Sequence, residues 1–306
     1  MRNSAAITST TTWNANDAIA TRSRRQAHLR KVFGNVLTHL VLIAGACIML
    51  VPLAWMLSTA FKPREQIWIY PPVWIPNPIA VGNFREAMDL LPVPFGRVVL
   101  NTLFVTILAT MGTTFSATLA GYAFGRLRFK GRDVLFSLVL ATMMLPGTIT
   151  MIPTFLIFRY LGWLDTFAPL IVPFWLGSSA FSIFLLRQFF MSLPRELDEA
   201  AKIDGASNLR ILLSIFVPLA KPALATIIIF QILWRWNDFM EPMIYLNSME
   251  NYTIALVLRT FQNVRAQDVQ YLMAISTLQV VPVIVLFFLA QRYFVRGIQL
   301  SGLAGR

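Results

Sequence analysis

Arg235 and Asp238 stand three residues apart in the run Trp234-Arg235-Trp236-Asn237-Asp238-Phe239-Met240-Glu241, toward the end of a long apolar stretch. On a helix that spacing puts both charges on one side, where pairing lowers the cost of holding them near lipid. Aromatic rings can cover the faces of a sugar, and an amide with charged neighbours can bond its hydroxyls. Trp236, Asn237 and Asp238 are therefore candidates for a solute path. An interfacial aromatic belt closed by a helix-end ion pair accounts for the same residues. Chemistry of the bond-breaking kind has no equivalent set. The only histidines are His28 and His39, Cys47 is the single cysteine, and no GxxxxGK[ST] phosphate loop occurs. No catalytic residue, metal or cofactor is assigned. His39 reads as a packed or interhelically bonded residue rather than a proton relay, because its own segment has no carboxylate.

A second polar stretch, residues 193–218, lies between two apolar runs. Ser192 is a candidate N-cap, Pro194 suits a first helical turn, and Glu196, Asp198 and Glu199 supply the negative charge that a helix start favours. Lys202 lies near the other end. Gly205 can take the positive φ that terminates the helix, and Ser207 can cap another in which Leu209, Leu212, Leu213 and Phe216 form one apolar face. The spacing predicts a short helical hairpin.

The elements that must carry these loops are membrane spans. The chain of 306 residues is 57% hydrophobic and 13% charged, and its apolar residues fall in runs near the roughly 20 residues that cross a bilayer. Six such runs cover 34–61, 98–124, 134–158, 168–190, 219–240 and 271–294. The expected fold is therefore an all-α integral membrane protein of six transmembrane helices, with the short helical loop between the fourth and fifth. The first run continues past Cys47 through Leu50, Val51 and Pro52, which predicts an uncleaved anchor. Residues 62–97 begin with Pro63, Pro71, Pro72, Pro76 and Pro78, and Asn83 with Glu86 offers a capping-box pair for a short helix.

Charge sets the expected orientation. With the N-terminus in the cytosol, eighteen of the 26 Lys and Arg lie on that side and seven on the other, and Arg235 alone is inside a span. This is the positive-inside pattern. The net charge of +12 thus reports topology rather than nucleic-acid binding, with attraction to membrane lipid headgroups as a secondary effect. Both termini are expected in the cytosol. Residues 1–31, rich in Ser, Thr, Asn and Arg, read as a weakly ordered tail; 32–297 form the transmembrane domain and 298–306 a second tail.

The run Glu199-Ala200-Ala201-Lys202-Ile203-Asp204-Gly205-Ala206-Ser207, followed by Ile215 and Pro218, resembles the EAA loop of ABC importer permeases. Val217 stands where leucine is usual. The Asp204 to Ser207 ending and Trp236-Asn237-Asp238-Phe239 narrow the likeness to the carbohydrate-uptake branch, similar to its maltose-transporter-type second permease subunit. The resemblance implies a bacterial inner-membrane protein that pairs with a second, homologous permease. It also implies two separate ATPase subunits, an extracytoplasmic solute-binding protein and a carbohydrate solute. The chain itself is then not an enzyme. Glu199, Ala200, Ala201, Asp204, Gly205, Ala206, Ser207 and Pro218 carry the expected ATPase-coupling role. The rival reading is an ion-coupled secondary transporter, which needs ionisable groups near the bilayer centre. Asp238 lies too close to one end of its span for that.

Overall fold

A computed structural model describes residues 6–265 and 267–302. Helices α1 (Ala6–Ala60), α2 (Gly82–Asp89), α3 (Phe95–Arg126), α4 (Arg132–Met144), α5 (Gly147–Tyr160), α6 (Ala168–Trp175) and α7 (Ala180–Ser192) come first. There follow α8 (Glu196–Ile203), α9 (Asn208–Ile211), a π-helical turn (Leu212–Phe216), α10 (Val217–Leu219), α11 (Lys221–Asn237), α12 (Met240–Tyr245), α13 (Ile254–Val264) and α14 (Val269–Gly302). Among the described residues there is no strand. The chain forms two compact units, Met1–Ser58 and Thr59–Arg306.

In the first unit α1 begins at Ala6, so the helix runs through the segment expected to be weakly ordered. Good helix formers such as Ala18, Arg24, Arg25, Gln26 and Ala27 occur in that segment. His39 Nδ1 lies 2.7 Å from the Asn35 carbonyl, one turn back in the same helix. α14 likewise extends to Gly302, past the expected start of the C-terminal tail, whose last four residues lie outside the described ones.

Among the described residues, four helices are long and apolar enough to cross a membrane: Lys31–Ala60, Phe95–Arg126, Ala168–Ser192 and Val269–Gln291. The number rises to six if each of two bent pairs is one span. The third expected span is such a pair, α4 and α5, bent by 104°. Pro146 is the cause. Its ring pushes Leu145 out of the helical region, to ψ 119°, and no continuous helix can pass. The fifth is the second case, where Asn208–Leu219 meets α11 at 78°. Ala220, with ψ 5°, opens that corner, and Pro222 starts the next helix without an amide hydrogen to lose.

In the second unit α3 is the central helix, packed on α6, α7 and α11. Its approach to α7 is close because Gly121 faces the Leu186 and Arg187 backbone. Small and hydroxyl-bearing residues, Thr102, Thr106, Ala109, Thr113, Ala117 and Gly121, fill the buried side of α3, as membrane helix contacts favour. Where α3 ends, Tyr122, Phe190 of α7 and Phe216 of the π turn meet with ring centroids 5.3–6.1 Å apart. At the other end Asn83 does not cap α2, which starts at Gly82. Its Nδ2 donates instead to the carbonyls of Ala60 and Lys62, at 2.9 and 2.8 Å, fastening α2 to the chain that leaves α1.

Asp165 joins two further loops. It holds φ 59°, and its carboxylate accepts from the amides of Asn247 and Ser248, at 2.9 and 2.8 Å, and from the Ser248 hydroxyl. Asn251 Nδ2 donates to its carbonyl at 2.9 Å. Hydrogen bonds from Ser248, with those of Asn247 and Asn251, hold the carboxyl down at about 2. A depressed carboxylate stabilises the fold above its unfolded value near 3.8, and this contribution fades as pH falls toward 2. Asp165→Ala should therefore raise amide exchange at Asn247 and Ser248 severalfold at pH 7, to the rate wild type reaches only once pH falls below the carboxyl's value of about 2, after correction for intrinsic exchange. Equal protection in variant and wild type at pH 7 would show that the clasp does not order this loop.

Candidate functional site

The 193–218 loop is built from two short helices around one turn. α8 starts at Glu196, two residues later than Pro194, because Ser192 is not free to cap it. That hydroxyl donates back to the Phe189 carbonyl at 2.7 Å and ends α7 instead. Glu196, Asp198 and Glu199 occupy the first turn of α8. At the other end Gly205 takes φ 77°. The Ala206 amide donates to Ala201 at 2.9 Å and the Gly205 amide to Lys202 at 3.0 Å, the paired bonds of a Schellman stop. Ala201 and Ala206 add its hydrophobic contact beneath. Ser207 then caps α9, its hydroxyl accepting from the Arg210 amide at 3.3 Å.

One face of this unit is inward and the other open. Asp198 and Ala201 are buried; Glu199, Ala200, Asp204, Gly205 and Ser207 are exposed, and Ala206 is half-buried. Pro218, also exposed, sits in α10 beyond the π turn. The expected single apolar face divides. Leu212 and Phe216 are buried, whereas Leu209 and Leu213 are 57% and 58% exposed. The π turn is the reason, since its wider winding brings Ile211, Leu212 and Phe216 to the core and leaves the other two leucines outside.

Arg126 fixes the inward face. The last residue of α3, it is only 4% exposed in its side chain and lies 3.4 Å from the Asp198 carboxylate. Its Nη2 donates to the carbonyls of Leu193 and Pro194 at 2.8 and 2.9 Å. The guanidinium also covers the Phe216 ring at 4.7 Å. Burial pushes the Asp198 carboxyl above its ordinary range by more than Arg126 draws it down. Sequence reasoning counted Arg126 only as one more positive charge and Asp198 only as helix-start acid. The available signal was the position of Asp198, three residues before Ala201 on the side of α8 away from Glu199 and Ala200.

The second candidate group lies at the far end of α11, which at 1.5 Å per residue is about 25 Å long for its 17 residues. The two groups therefore do not meet. Trp236 is 4% exposed, and its Nε1 donates to the Gln279 carbonyl of α14 at 3.0 Å. Asn237, exposed, donates to the Leu233 carbonyl at 2.8 Å. Asp238 follows α11 and pairs with Arg235 at 3.6 Å. Arg235 has a stronger partner that the helical spacing did not indicate: Glu241, at 3.0 Å. It also lies 3.8 Å over the ring of Phe174, so the cation is held from three sides. Among the described residues no group of three or more His, Cys, Asp or Glu could hold a metal ion.

The second unit is thus a helical bundle with two bent pairs and a hairpin anchored through Arg126. Residues 112–300 match the family described as binding-protein-dependent transport system inner membrane component, and the chain belongs to that family. It is 32% identical over 288 residues to the probable ABC transporter permease protein YurM of Bacillus subtilis, covering 93% of this chain and 92% of that one. The osmoprotective compounds uptake permease protein GgtD of Synechocystis is 33% identical over 85% of this chain and 89% of its own length. The sn-glycerol-3-phosphate transport system permease protein UgpE of Yersinia pestis is 32% identical over 86% and 95%. Among solved structures, a chain of a bacterial ABC transporter involved in the import of the acidic polysaccharide alginate superposes with a TM-score of 0.74. It is 28% identical and matched over 86% of this chain and 97% of that one. The protein is thus an inner-membrane permease of an ABC importer.

Proposed function

We propose that this permease carries a sugar or oligosaccharide inward as one half of a translocation path, and that its 193–218 loop receives the stroke of a separate ATPase. The substrate class follows the similar proteins, which are named for uptake of osmoprotective compounds, of sn-glycerol-3-phosphate and of alginate. The observation that carries the coupling role is the shape of the loop. α8 offers Glu199 and Ala200 outward, stops sharply at Gly205, and is tied behind by Arg126. A short rigid helix with one open face and one anchored face suits the groove of a moving partner. A second, homologous permease completes the path, two ATPase subunits supply ATP hydrolysis, and an extracytoplasmic binding protein delivers the solute. The positive-inside bias orients the loop and both termini to the cytosol and the Asp165 clasp to the outside. Trp236 and Arg235 then brace the outer end of α11, while exposed Asn237 and the adjoining Asp238 are the members of that group placed to meet solute.

The test uses the complete complex with Cys47→Ser and a single Lys202→Cys on exposed α8. A thiol-linked photocrosslinker there should capture the ATPase subunit, and an impermeant thiol reagent should fail to label the position in intact cells. Labelling from outside, or capture of no ATPase subunit, would refute the assignment.

A further inference from the structure

We infer that Arg126 is a positioning residue that makes α3 and α8 move as one body when the ATPase subunits close. This rests on the coupling role proposed for the loop. One planar group meets three elements at once: the end of α7 through the Leu193 and Pro194 carbonyls, the first turn of α8 through Asp198, and the π turn through Phe216. Among the described residues its pair with Asp198 is the one ion pair that α8 makes.

The geometry suits the transmission of a displacement rather than mere closure of a surface. Arg126 is the terminal residue of the central helix α3, so a push on α8 reaches that helix at its end. The guanidinium holds its donors in a fixed plane, so the two carbonyl bonds and the carboxylate contact are set together; a lysine ammonium on a flexible stem cannot reproduce that fork. Beneath it, Tyr122, Phe190 and Phe216 stack edge to face or tilted, which joins α3, α7 and the π turn in one packed layer. Packed layers of this kind shift between discrete arrangements rather than deforming gradually.

The experiment measures the distance between spin labels at exposed Leu100→Cys on α3 and exposed Ile203→Cys on α8, in the complete reconstituted complex with Cys47→Ser. Nucleotide-free and ATP-vanadate states are compared. With Arg126 present the distance should keep its centre between the two states. In Arg126→Lys it should shift by roughly 2 Å or more, the scale of helix displacements at switching interfaces, while the Lys202 crosslink to the ATPase is retained. Asp198→Asn, which removes the anion but leaves both carbonyl bonds, should shift in the same direction and serves if the lysine variant does not assemble. A distance that changes with nucleotide in the presence of both Arg126 and Asp198, or that stays fixed in the variants, overturns the inference and leaves the coupling role standing. Absence of the Lys202 crosslink with Arg126 intact removes the coupling role and this inference together.

Discussion

Gly205→Val should uncouple ATP hydrolysis from transport in a complex that still assembles in the membrane. Gly205 holds φ 77°, and a Cβ there would find no atom within 4 Å, so the cost is wholly in the backbone. A β-branched residue in the left-handed region is strained by roughly 1–2 kcal/mol. The chain can relieve this by rotating out of the turn, which breaks the Ala206 to Ala201 and Gly205 to Lys202 bonds and re-aims α8. Because the altered turn is exposed and carries no span, insertion should be unaffected. Copurification of the ATPase should fall, or hydrolysis should persist with transport reduced about tenfold, the consequence of roughly 1.4 kcal/mol lost from a productive docked geometry. Normal copurification, hydrolysis and transport in this variant would remove the loop as the mechanical contact.

The other large effect is expected deep in the bundle. A Cβ built on Gly121 would lie 2.8 Å from the Leu186 Cβ and 3.1 Å from the Arg187 amide nitrogen. Neither is the free end of a flexible side chain. Gly121→Leu must separate α3 from α7, and overpacking of that kind costs about 1–3 kcal/mol. The purified protein should lose about 5 °C or more of thermal stability in detergent. Gly147→Ala provides the control, since a Cβ there has nothing within 4 Å. Equal melting of the two variants would mean that the helices have room to part without loss.

Much of the loop was legible in the sequence because its signals are local. Acidic residues at the start of α8, a glycine at its end and a serine before α9 each act within one turn, and all three were found in those roles. The misplaced start of α8 has a physical cause of the same range: Ser192 had two backbone partners to choose from, and the carbonyl three residues behind it won. Among the described residues, apolar run length marked four helices long enough to cross a membrane and two bent pairs, but not the corners of those pairs. At Pro146 composition stays apolar while the backbone turns through 104°. What no local pattern could supply was pairing across the fold. Arg126 with the Leu193 carbonyl, Trp236 with Gln279, and Asp165 with Ser248 depend on which helices lie side by side, and neither spacing nor propensity encodes that for residues so distant along the chain.

The burial of Arg126 has one more consequence, for ionic strength. Exposed ion pairs weaken as salt rises, because mobile ions screen charges over about 8 Å at physiological strength; pairs shut away from water are screened far less. Arg126 is 4% exposed and Asp198 12% in their side chains, whereas the Arg85–Asp89 pair is 89% and 72% exposed. Counterions therefore reach the surface pair but not the joint, and the tie between α3 and α8 keeps its strength across cytosolic salt concentrations that would dissolve a contact made at the surface.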